Sequence, residues 1–266
     1  MEILLPIIVL GSLGALFGLW LAFVQKIFVV KKDERTEHIF TLLPGSNCGA
    51  CGKAGCFGLA QALSKGELDT ITCPILHEKE REEIAEYLGI KVEEEHKKVA
   101  TLICNGGNTC KDKFRYHGPK ECDIANLMLE GPKACAFGCI GFGTCVSACP
   151  FGAIRMNEQS LPEIDIEKCT ACGKCITACP KGVLVLSPVK SQYHIQCHSI
   201  DRGPDVMKAC KTGCIACGKC VKACPVEAIT ITNNLALIDY TKCTNCGECI
   251  KVCPTKAIGR RKPDGE

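Results

Sequence analysis

The clearest chemical signal in this chain is the number and spacing of its cysteines. Cysteine occupies 25 of the 266 positions, and three segments repeat the spacing C-x2-C-x2-C-x3-C-P. This spacing lets a tight loop direct three thiolates at one [4Fe–4S] cluster, while the proline turns the fourth thiolate toward a second cluster. The three segments therefore predict iron–sulfur chemistry. Their cysteines are Cys169, Cys172, Cys175 and Cys179; Cys214, Cys217, Cys220 and Cys224; and Cys243, Cys246, Cys249 and Cys253.

Two other uses of cysteine fit the sequence poorly. An odd number of cysteines cannot be paired completely into disulfides within one chain. Structural zinc sites use separate C-x2-C pairs rather than runs of four cysteines. Iron–sulfur ligation is the interpretation that accounts for the runs.

The crossover at the proline predicts which cysteines share a cluster. The first three cysteines of one run combine with the last cysteine of its partner run. The expected sets are Cys214, Cys217 and Cys220 with Cys253; Cys243, Cys246 and Cys249 with Cys224; and Cys169, Cys172 and Cys175 with Cys149.

An internal repeat shows that one further set is incomplete. Residues 134–154 align without gaps on residues 209–229, and Phe142 stands where the second copy has Cys217. The chain therefore contains two duplicated units, and the first unit lacks one cluster ligand at its expected position.

The incomplete set must obtain its fourth ligand from another segment. Cys139, Cys145 and Cys179 are expected to share this cluster. We expect Cys135 to be the fourth ligand, and the alternatives are Cys104, Cys110 and Cys122.

Closer to the amino terminus, four cysteines follow a different spacing, C-x2-C-x4-C-x16-C-P, among several glycines. Glycine permits positive φ and a close approach of the backbone to an inorganic core. We expect another [4Fe–4S] cluster there, at Cys48, Cys51, Cys56 and Cys73.

These motifs predict at least five clusters. Six clusters of four ligands would use 24 of the 25 cysteines, so six is the upper limit. The remaining candidates for iron ligation could instead be small buried hydrophobic residues. They are Cys104, Cys110, Cys122, Cys197 and Cys210.

A membrane helix is predicted at the start of the chain. Residues 3–24 carry no charge, and 22 helical residues extend about 33 Å, which is enough to cross a bilayer core. A cleaved signal peptide is the alternative, but a basic amino-terminal flank and a cleavage site are missing. Basic residues follow the helix, so we expect a single-pass protein of the cell membrane, in contact with lipid, with its bulk in the cytoplasm. These residues are Lys26, Lys31, Lys32 and Arg35.

The rest of the chain predicts small α+β units. An amphipathic helix is expected over 78–90, a charged linker over 93–98, strands over 163–166 and 183–186, and a hairpin with an Asn-Asn turn over 229–238. We expect four parts: an anchor at 1–30, a single-cluster module at 31–95, a first ferredoxin-like unit with extra cysteines at 96–190, and a second two-cluster unit at 191–266.

Several kinds of site are not indicated by the sequence. It contains no P-loop and no G-x-G-x-x-G after a strand, so we expect no flavin or NAD site and no hydride chemistry from this chain alone. No catalytic acid–base group is indicated. Six clusters would change the formal charge from +3 to roughly −9, so no nucleic-acid partner is expected. The histidines near cysteines are expected to be packing residues: His117, His194 and His198.

The apolar helix, the GSNCGACGKAGC module and the ferredoxin-type repeats together resemble the B subunit of the Rnf complex, over nearly the whole chain. The extra cysteines around ICNGGNTCKDKFRYHGPKECD resemble the longer form found in anaerobes. The resemblance implies a component of a membrane translocase that oxidises reduced ferredoxin, reduces NAD⁺ and moves Na⁺ or H⁺. It also implies that flavin, nicotinamide and ion chemistry reside on the other subunits.

Two alternative functions remain open on the sequence. One is a polyferredoxin subunit of a membrane hydrogenase or another reductase, and the other is a cluster-based redox sensor or scaffold. Several clusters in series favour electron transfer over sensing. Electrostatic docking of ferredoxin could use Arg260, Arg261 and Lys262, although a solvated terminus is the simpler interpretation of these residues.

Overall fold

The apolar segment at the start of the chain forms one long helix. The computed structural model describes residues 4–27, 33–90 and 97–261. Helix α1 spans Leu4–Ile27, and its segment Ile7–Val24 is long and apolar enough to cross a membrane. None of that segment is buried against the rest of the described chain, which agrees with a surface suited to lipid. Lys31 and Lys32 of the predicted basic flank lie outside the described residues.

Three helices form the module that contains the amino-proximal cysteines. They are α2 (Glu34–Leu42), α3 (Gly55–Ser64) and α4 (Glu78–Leu88). Ile39, Leu59 and Ile84, one from each helix, are almost fully buried in a shared core. The helix predicted over 78–90 is confirmed as α4, and it ends where Gly89 adopts the left-handed conformation at φ 68°.

The next part of the chain is built from short helices and two antiparallel strand pairs. Strand β1 (Lys98–Leu102) pairs with β4 (Leu184–Pro188), and β2 (Ile154–Met156) forms a hairpin with β3 (Pro162–Ile164). The connecting helices are α5 (Cys122–Leu127), α6 (Thr144–Ser147) and α7 (Lys174–Thr177), with a 3₁₀ turn at Gly107–Thr109. The charged linker predicted over 93–98 lies mostly outside the described residues.

The last part repeats the same arrangement. Strand β5 (Tyr193–Ile195) pairs with β8 (Ile258–Arg260), and β6 (Ile229–Thr232) pairs with β7 (Leu235–Ile238). The predicted hairpin is confirmed, with Asn233 and Asn234 both at positive φ, as a two-residue hairpin turn requires. The helices are α8 (Gly203–Ala209), α9 (Lys219–Lys222) and α10 (Glu248–Val252).

Each duplicated unit therefore has a central hairpin and an outer pair formed by its first and last strands. The predicted strands at 163–166 and 183–186 occur as β3 and β4, displaced by one or two residues. The mixed content of short helices and strands confirms the α+β class. All strands have three to five residues, so each unit has little apolar core of its own.

Arg261 joins the end of the second unit to the first unit. Its guanidinium donates to the carbonyl oxygens of Pro188 (3.0 Å) and Val189 (2.8 Å). It also donates to the hydroxyls of Thr101 (2.8 Å) and Ser187 (2.6 Å), which are buried in the β1–β4 pair. Four hydrogen bonds from one half-buried side chain therefore hold the two units together. This contact of Arg261 with β1, β4 and Val189 is called the seam below.

This position corrects the expectation that Arg261 belongs to a free basic tail. A guanidinium with four protein acceptors is not available to a docking partner. Arg260, its neighbour, is exposed, and Lys262 lies outside the described residues.

We expect Arg261→Ala to weaken the seam, because buried hydroxyl and carbonyl acceptors would lose a charged donor. One hydrogen bond to a charged group contributes about 1.5–3 kcal/mol, and four bonds that share one side chain do not add independently, so a total loss of about 2–4 kcal/mol in local opening free energy is expected in β1 and β4. Hydrogen exchange of the cluster-loaded protein measures this loss. Arg260→Ala is the matched control and should leave exchange in β1 and β4 unchanged; equal effects of the two variants would contradict the role of Arg261.

Candidate iron–sulfur centres

The second unit contains two cavities that are each lined by four cysteines. One cavity, of about 370 Å³, is lined by Cys214, Cys217, Cys220 and Cys253. The other, of about 330 Å³, is lined by Cys224, Cys243, Cys246 and Cys249. These groupings agree with the crossover of the fourth cysteine that the spacing predicts.

Positive backbone φ angles shape the loops that carry the first three cysteines. Between Cys214 and Cys220, Ala216 (φ 53°) and Gly218 (φ 73°) both adopt the left-handed conformation immediately before α9. Asn245 and Gly247 do the same before α10. Two left-handed residues so close together turn the chain sharply, which brings the three cysteine side chains of each loop to one cavity.

The first unit contains an equivalent group at Cys169, Cys172 and Cys175. The pKa of Cys175 is raised to about 12 by burial and then by the thiolates of Cys169, Cys172, Cys145 and Cys149. Cys149, the predicted crossover residue, packs against the core cluster that contains Cys169 and Cys175.

The incomplete set of the first unit is filled by Cys122. A cavity of about 360 Å³ is lined by Cys139, Cys145, Cys179 and Cys122. The pKa of Cys145 is raised to about 11, first by burial and then by the neighbouring thiolates of Cys122 and Cys179. Cys135, which was expected to be the fourth residue, lines a different cavity.

Local packing explains the position of Cys122. Its backbone N–H donates to the Thr144 hydroxyl at 2.8 Å, which fixes the start of α5 against the start of α6. Phe142, at the position of the missing cysteine, packs on Tyr116 with ring centroids 5.5 Å apart. The segment that carries Tyr116 and Cys122 thus covers the gap in the motif and brings a cysteine to it.

The internal repeat of the sequence gives a clue to the role of Cys122 that composition and local spacing alone do not give. Twelve residues separate Cys122 from Cys135, and twelve separate Cys197 from Cys210. Cys197 is therefore the counterpart of Cys122. The second unit has Cys217 in its motif and does not need this counterpart, so Cys197 stands outside the cysteine sets described above.

The amino-proximal module brings its cysteines together around the start of α3. Burial raises the pKa of Cys73, and the Cys51 and Cys48 thiolates also raise it, so these sulfurs are close. Cys56 is buried at the start of α3, and its N–H donates to Oδ1 of Asn47 at 2.8 Å.

Gly55 is required for this turn. Its φ is 78°, and a Cβ at this position would lie 2.7 Å from Oδ1 of Asn47. Close packing thus explains the glycine at position 55, whereas Gly45, Gly49 and Gly52 are explained by their positive φ alone.

A fourth cavity lies between the two units. It occupies about 470 Å³ and is lined by Cys104, Cys110, Cys135 and Cys210, with Cys139 and Cys197 also on its wall. These cysteines come from three separate segments of the chain, at 104–110, 135 and 210.

The cysteine groups fit polynuclear clusters better than single metal ions. Among the described residues, no three His, Cys, Asp or Glu side chains gather closely enough to hold one metal ion. Buried thiols with raised pKa values also need a positively charged core before they can be held as thiolates.

Backbone N–H groups point at several of these sulfurs. Ala153 donates to Cys149 (3.4 Å), and Ala228 donates to the equivalent Cys224 (3.3 Å). Hydrogen bonds of this kind stabilise thiolates and tune the potential of a bound cluster.

His194 is a packing residue, as expected. Its ring nitrogens are within hydrogen-bond distance of the Tyr240 hydroxyl (2.7 Å) and the Ser191 carbonyl oxygen (3.0 Å). Burial and the nearby Arg261 charge lower the pKa of His194 to about 4, so the ring is neutral at physiological pH.

Comparison with known proteins identifies the family to which the chain belongs. The family model described as a 4Fe-4S dicluster domain matches residues 138–183 and 213–257, and the one described as a putative Fe-S cluster matches residues 43–75. The chain is 43% identical to the B subunit of the Na⁺-translocating ferredoxin:NAD⁺ oxidoreductase complex of Acetobacterium woodii, covering 90% of this chain and 72% of the relative. The chain belongs to the family of B subunits of ion-translocating oxidoreductase complexes.

Two further relatives support the same family. The B subunit of the ion-translocating oxidoreductase complex of Methanosarcina acetivorans is 41% identical, with 89% of this chain and 90% of the relative covered. The B subunit of the proton-translocating ferredoxin:NAD⁺ oxidoreductase complex of Clostridium ljungdahlii is 43% identical, with 89% and 84% covered. The resemblance to the Rnf B subunit is confirmed: the chain carries multiple [4Fe–4S] clusters and is an electron-transfer component of an oxidoreductase translocase.

The arrangement around Cys122 predicts a gain-of-ligand experiment. Cys122→Ser should remove about four irons, because it leaves Cys139, Cys145 and Cys179 without their fourth thiolate. Adding Phe142→Cys to that variant should restore them, because position 142 is equivalent to the ligand position of Cys217. Iron and acid-labile sulfide quantitation, with EPR of the reduced protein, measures both effects. Unchanged iron in Cys122→Ser would show that this cluster does not use Cys122.

Proposed function

We propose that this protein accepts single electrons from reduced ferredoxin on its second ferredoxin-like unit and passes them to flavin- and NAD-binding subunits of the complex. The observation that supports this proposal is the exposure of two cluster cysteines in one unit. Cys217 and Cys246 are exposed, whereas every other cysteine is buried or half-buried. When bound, [4Fe–4S] clusters supply one-electron transfer without hydride chemistry.

The proposed ligands are the cysteines of five sets, and each set has its own supporting segment of chain. Most of the proposed ligand thiolates lie on the loops before the short helices. In the first unit, one of them, Cys122, lies on α5. The five sets are Cys48, Cys51, Cys56 and Cys73; Cys122, Cys139, Cys145 and Cys179; Cys149, Cys169, Cys172 and Cys175; Cys214, Cys217, Cys220 and Cys253; and Cys224, Cys243, Cys246 and Cys249.

We also propose the arrangement of the chain at the membrane. Helix α1 would anchor the protein in the lipid, and the basic residues after it would place the remainder in the cytoplasm. The proposed parts after the anchor are 31–95, 96–190 and 191–266; the strand pairings β1–β4 and β5–β8 support the last two.

Exposure of the ligands matters because the rate of electron transfer falls steeply with distance. A soluble donor can bring its own cluster closest where the receiving cysteines reach the surface. Cys217 and Cys246 meet this requirement, whereas at the equivalent positions of the first unit Cys172 is half-buried and residue 142 is a phenylalanine.

Exposed lysines near the Cys217 loop supply positive charge that can attract ferredoxin. Arg261 cannot do so, because its guanidinium is bound to four protein acceptors. Lys219 and Lys222 on α9 are exposed, and so is Lys256, three residues after Cys253. A reduced [4Fe–4S] centre with four thiolates carries about −3, so two such centres repel. Positive side chains beside the receiving site reduce this repulsion and speed the encounter.

We expect Lys219→Glu/Lys222→Glu to slow electron uptake from reduced ferredoxin by at least tenfold at low salt, with a smaller effect at high salt. Stopped-flow reduction of the purified protein measures this rate. The matched control is Lys65→Glu/Lys79→Glu, which makes the same charge change at exposed lysines of the amino-proximal module. A slower rate in the control variant alone would move the docking site to that module.

The membrane anchor predicts a second result. A chain without residues 1–30 should be soluble, brown and redox-active, but should not restore ferredoxin-dependent NAD⁺ reduction to membranes that lack this protein. The physical reason is that the anchor holds the clusters within reach of the membrane subunits. Reduction of NAD⁺ by the soluble fragment alone would contradict the proposal, and co-purification of the full chain with a hydrogenase would favour the polyferredoxin alternative.

A further inference from the structure

The cavity between the two units contains four cysteines that the five proposed sets do not use. Cys104, Cys110 and Cys135 belong to the first unit and Cys210 to the second. All four lie outside the segments 43–75, 138–183 and 213–257 that match iron–sulfur families. We propose that these four cysteines hold a sixth [4Fe–4S] cluster, shared by the two units. This inference rests on the proposed function for the identity of the cofactor.

A backbone donor reaches one of these sulfurs. Cys104 accepts from the N–H of Cys139 at 3.4 Å. A donor of this kind stabilises a thiolate, as at Cys149 and Cys224 of the other cysteine groups.

The sulfur of Cys210 has a polar contact of its own. It lies 3.4 Å from the hydroxyl oxygen of Thr212. The Thr212 hydroxyl gives its hydrogen to the Asn105 carbonyl, so its oxygen is the acceptor toward Cys210.

Gly106 lies directly among the four cysteines. A Cβ on this residue would lie 3.3 Å from Cβ of Cys110, 3.5 Å from the sulfur of Cys210 and 3.6 Å from the sulfur of Cys104. The backbone thus passes close to three of the proposed ligands, and the absence of a side chain leaves the space between them open.

Backbone hydrogen bonds hold the two units in the register that this site needs. Cys110 and Cys210 face each other in an antiparallel bridge. The N–H of Lys111 donates to the carbonyl of Ala209 at 3.0 Å, next to that bridge. The Thr212 hydroxyl donates to the Asn105 carbonyl at 2.8 Å. The ligands from both units are therefore positioned before any metal is bound.

Two other occupants fit this cavity less well. A disulfide between Cys110 and Cys210 would leave Cys104 and Cys135 as buried thiols beside it. A zinc ion would need four sulfurs about 2.3 Å from one point, and no three metal-binding side chains of the described ranges 4–27, 33–90 and 97–261 converge in that way. A cluster spreads its ligands over a larger core.

Cys197 provides a matched control. It is buried and lies on the wall of the same cavity, whereas its counterpart in the first unit, Cys122, lines the neighbouring cavity. Six sets of four leave Cys197 as the one cysteine without a cluster. Replacing it removes a thiol from the same place without removing a proposed ligand.

The full-length protein, purified without oxygen, tests the inference by metal content. Wild type should hold about 24 irons and 24 sulfides, whereas Cys104→Ser/Cys210→Ser should hold about 20 of each. Cys197→Ser should keep about 24. EPR of the reduced samples should lose one set of signals in the double variant only. Iron unchanged in the double variant would overturn the inference.

The wild-type measurement decides the question even if the double variant does not fold. About 20 irons, with one zinc or with a Cys110–Cys210 disulfide in the mass spectrum, would overturn the sixth cluster and leave the five-cluster function standing. Iron near zero would instead overturn the proposed function itself. Hydrogen exchange adds a readout of the shared site: residues 104–111 and 203–213 should exchange faster in the double variant, while the β2–β3 and β6–β7 hairpins should not change.

Discussion

Burial of cysteine sulfur in groups of four is the constraint on which this structure depends. In the described part of the two ferredoxin-like units, strands of three to five residues and helices of four to seven residues bury too little apolar surface to fix a unit alone. The cysteines occupy the centre of each small core, and burial raises the pKa of residues such as Cys145, Cys175 and Cys249. Such groups cannot carry four negative charges without a positive core. Metal binding and folding are therefore expected to be strongly coupled in this protein.

The two duplicated units contain equivalent cysteine-lined cavities, although one cysteine of the cavity comes from a different segment of the chain in each unit. In the second unit Cys217 comes from the motif itself, whereas in the first unit Phe142 occupies that position and Cys122 reaches the cavity from α5. The residue that corresponds to Cys122 is then free to take a different position, as Cys197 does beside Cys214. The identity of a cluster ligand is set by the cavity that a side chain reaches rather than by its place in a motif.

Features fixed by nearby residues were predictable from the sequence. The α4 helix follows from its apolar spacing and Gly89, the β6–β7 hairpin from Asn233 and Asn234, and the cysteine groupings of the second unit from the run spacing. Features that depend on distant residues were not predictable. Cys122 meets Cys179 only after the chain folds, and 160 positions separate Arg261 from Thr101. Charge alone suggested a free tail, because the sequence does not reveal which buried acceptors Arg261 would find.

The bonds of Arg261 also have a consequence for the order of events during synthesis. Translation proceeds from the amino terminus, so Thr101 and Ser187 leave the ribosome well before Arg261, which follows the last cysteine in the chain. The earlier unit can pair β1 with β4 while its two hydroxyls still lack their charged donor. This seam can therefore form only after the cysteine runs up to Cys253 have been synthesised.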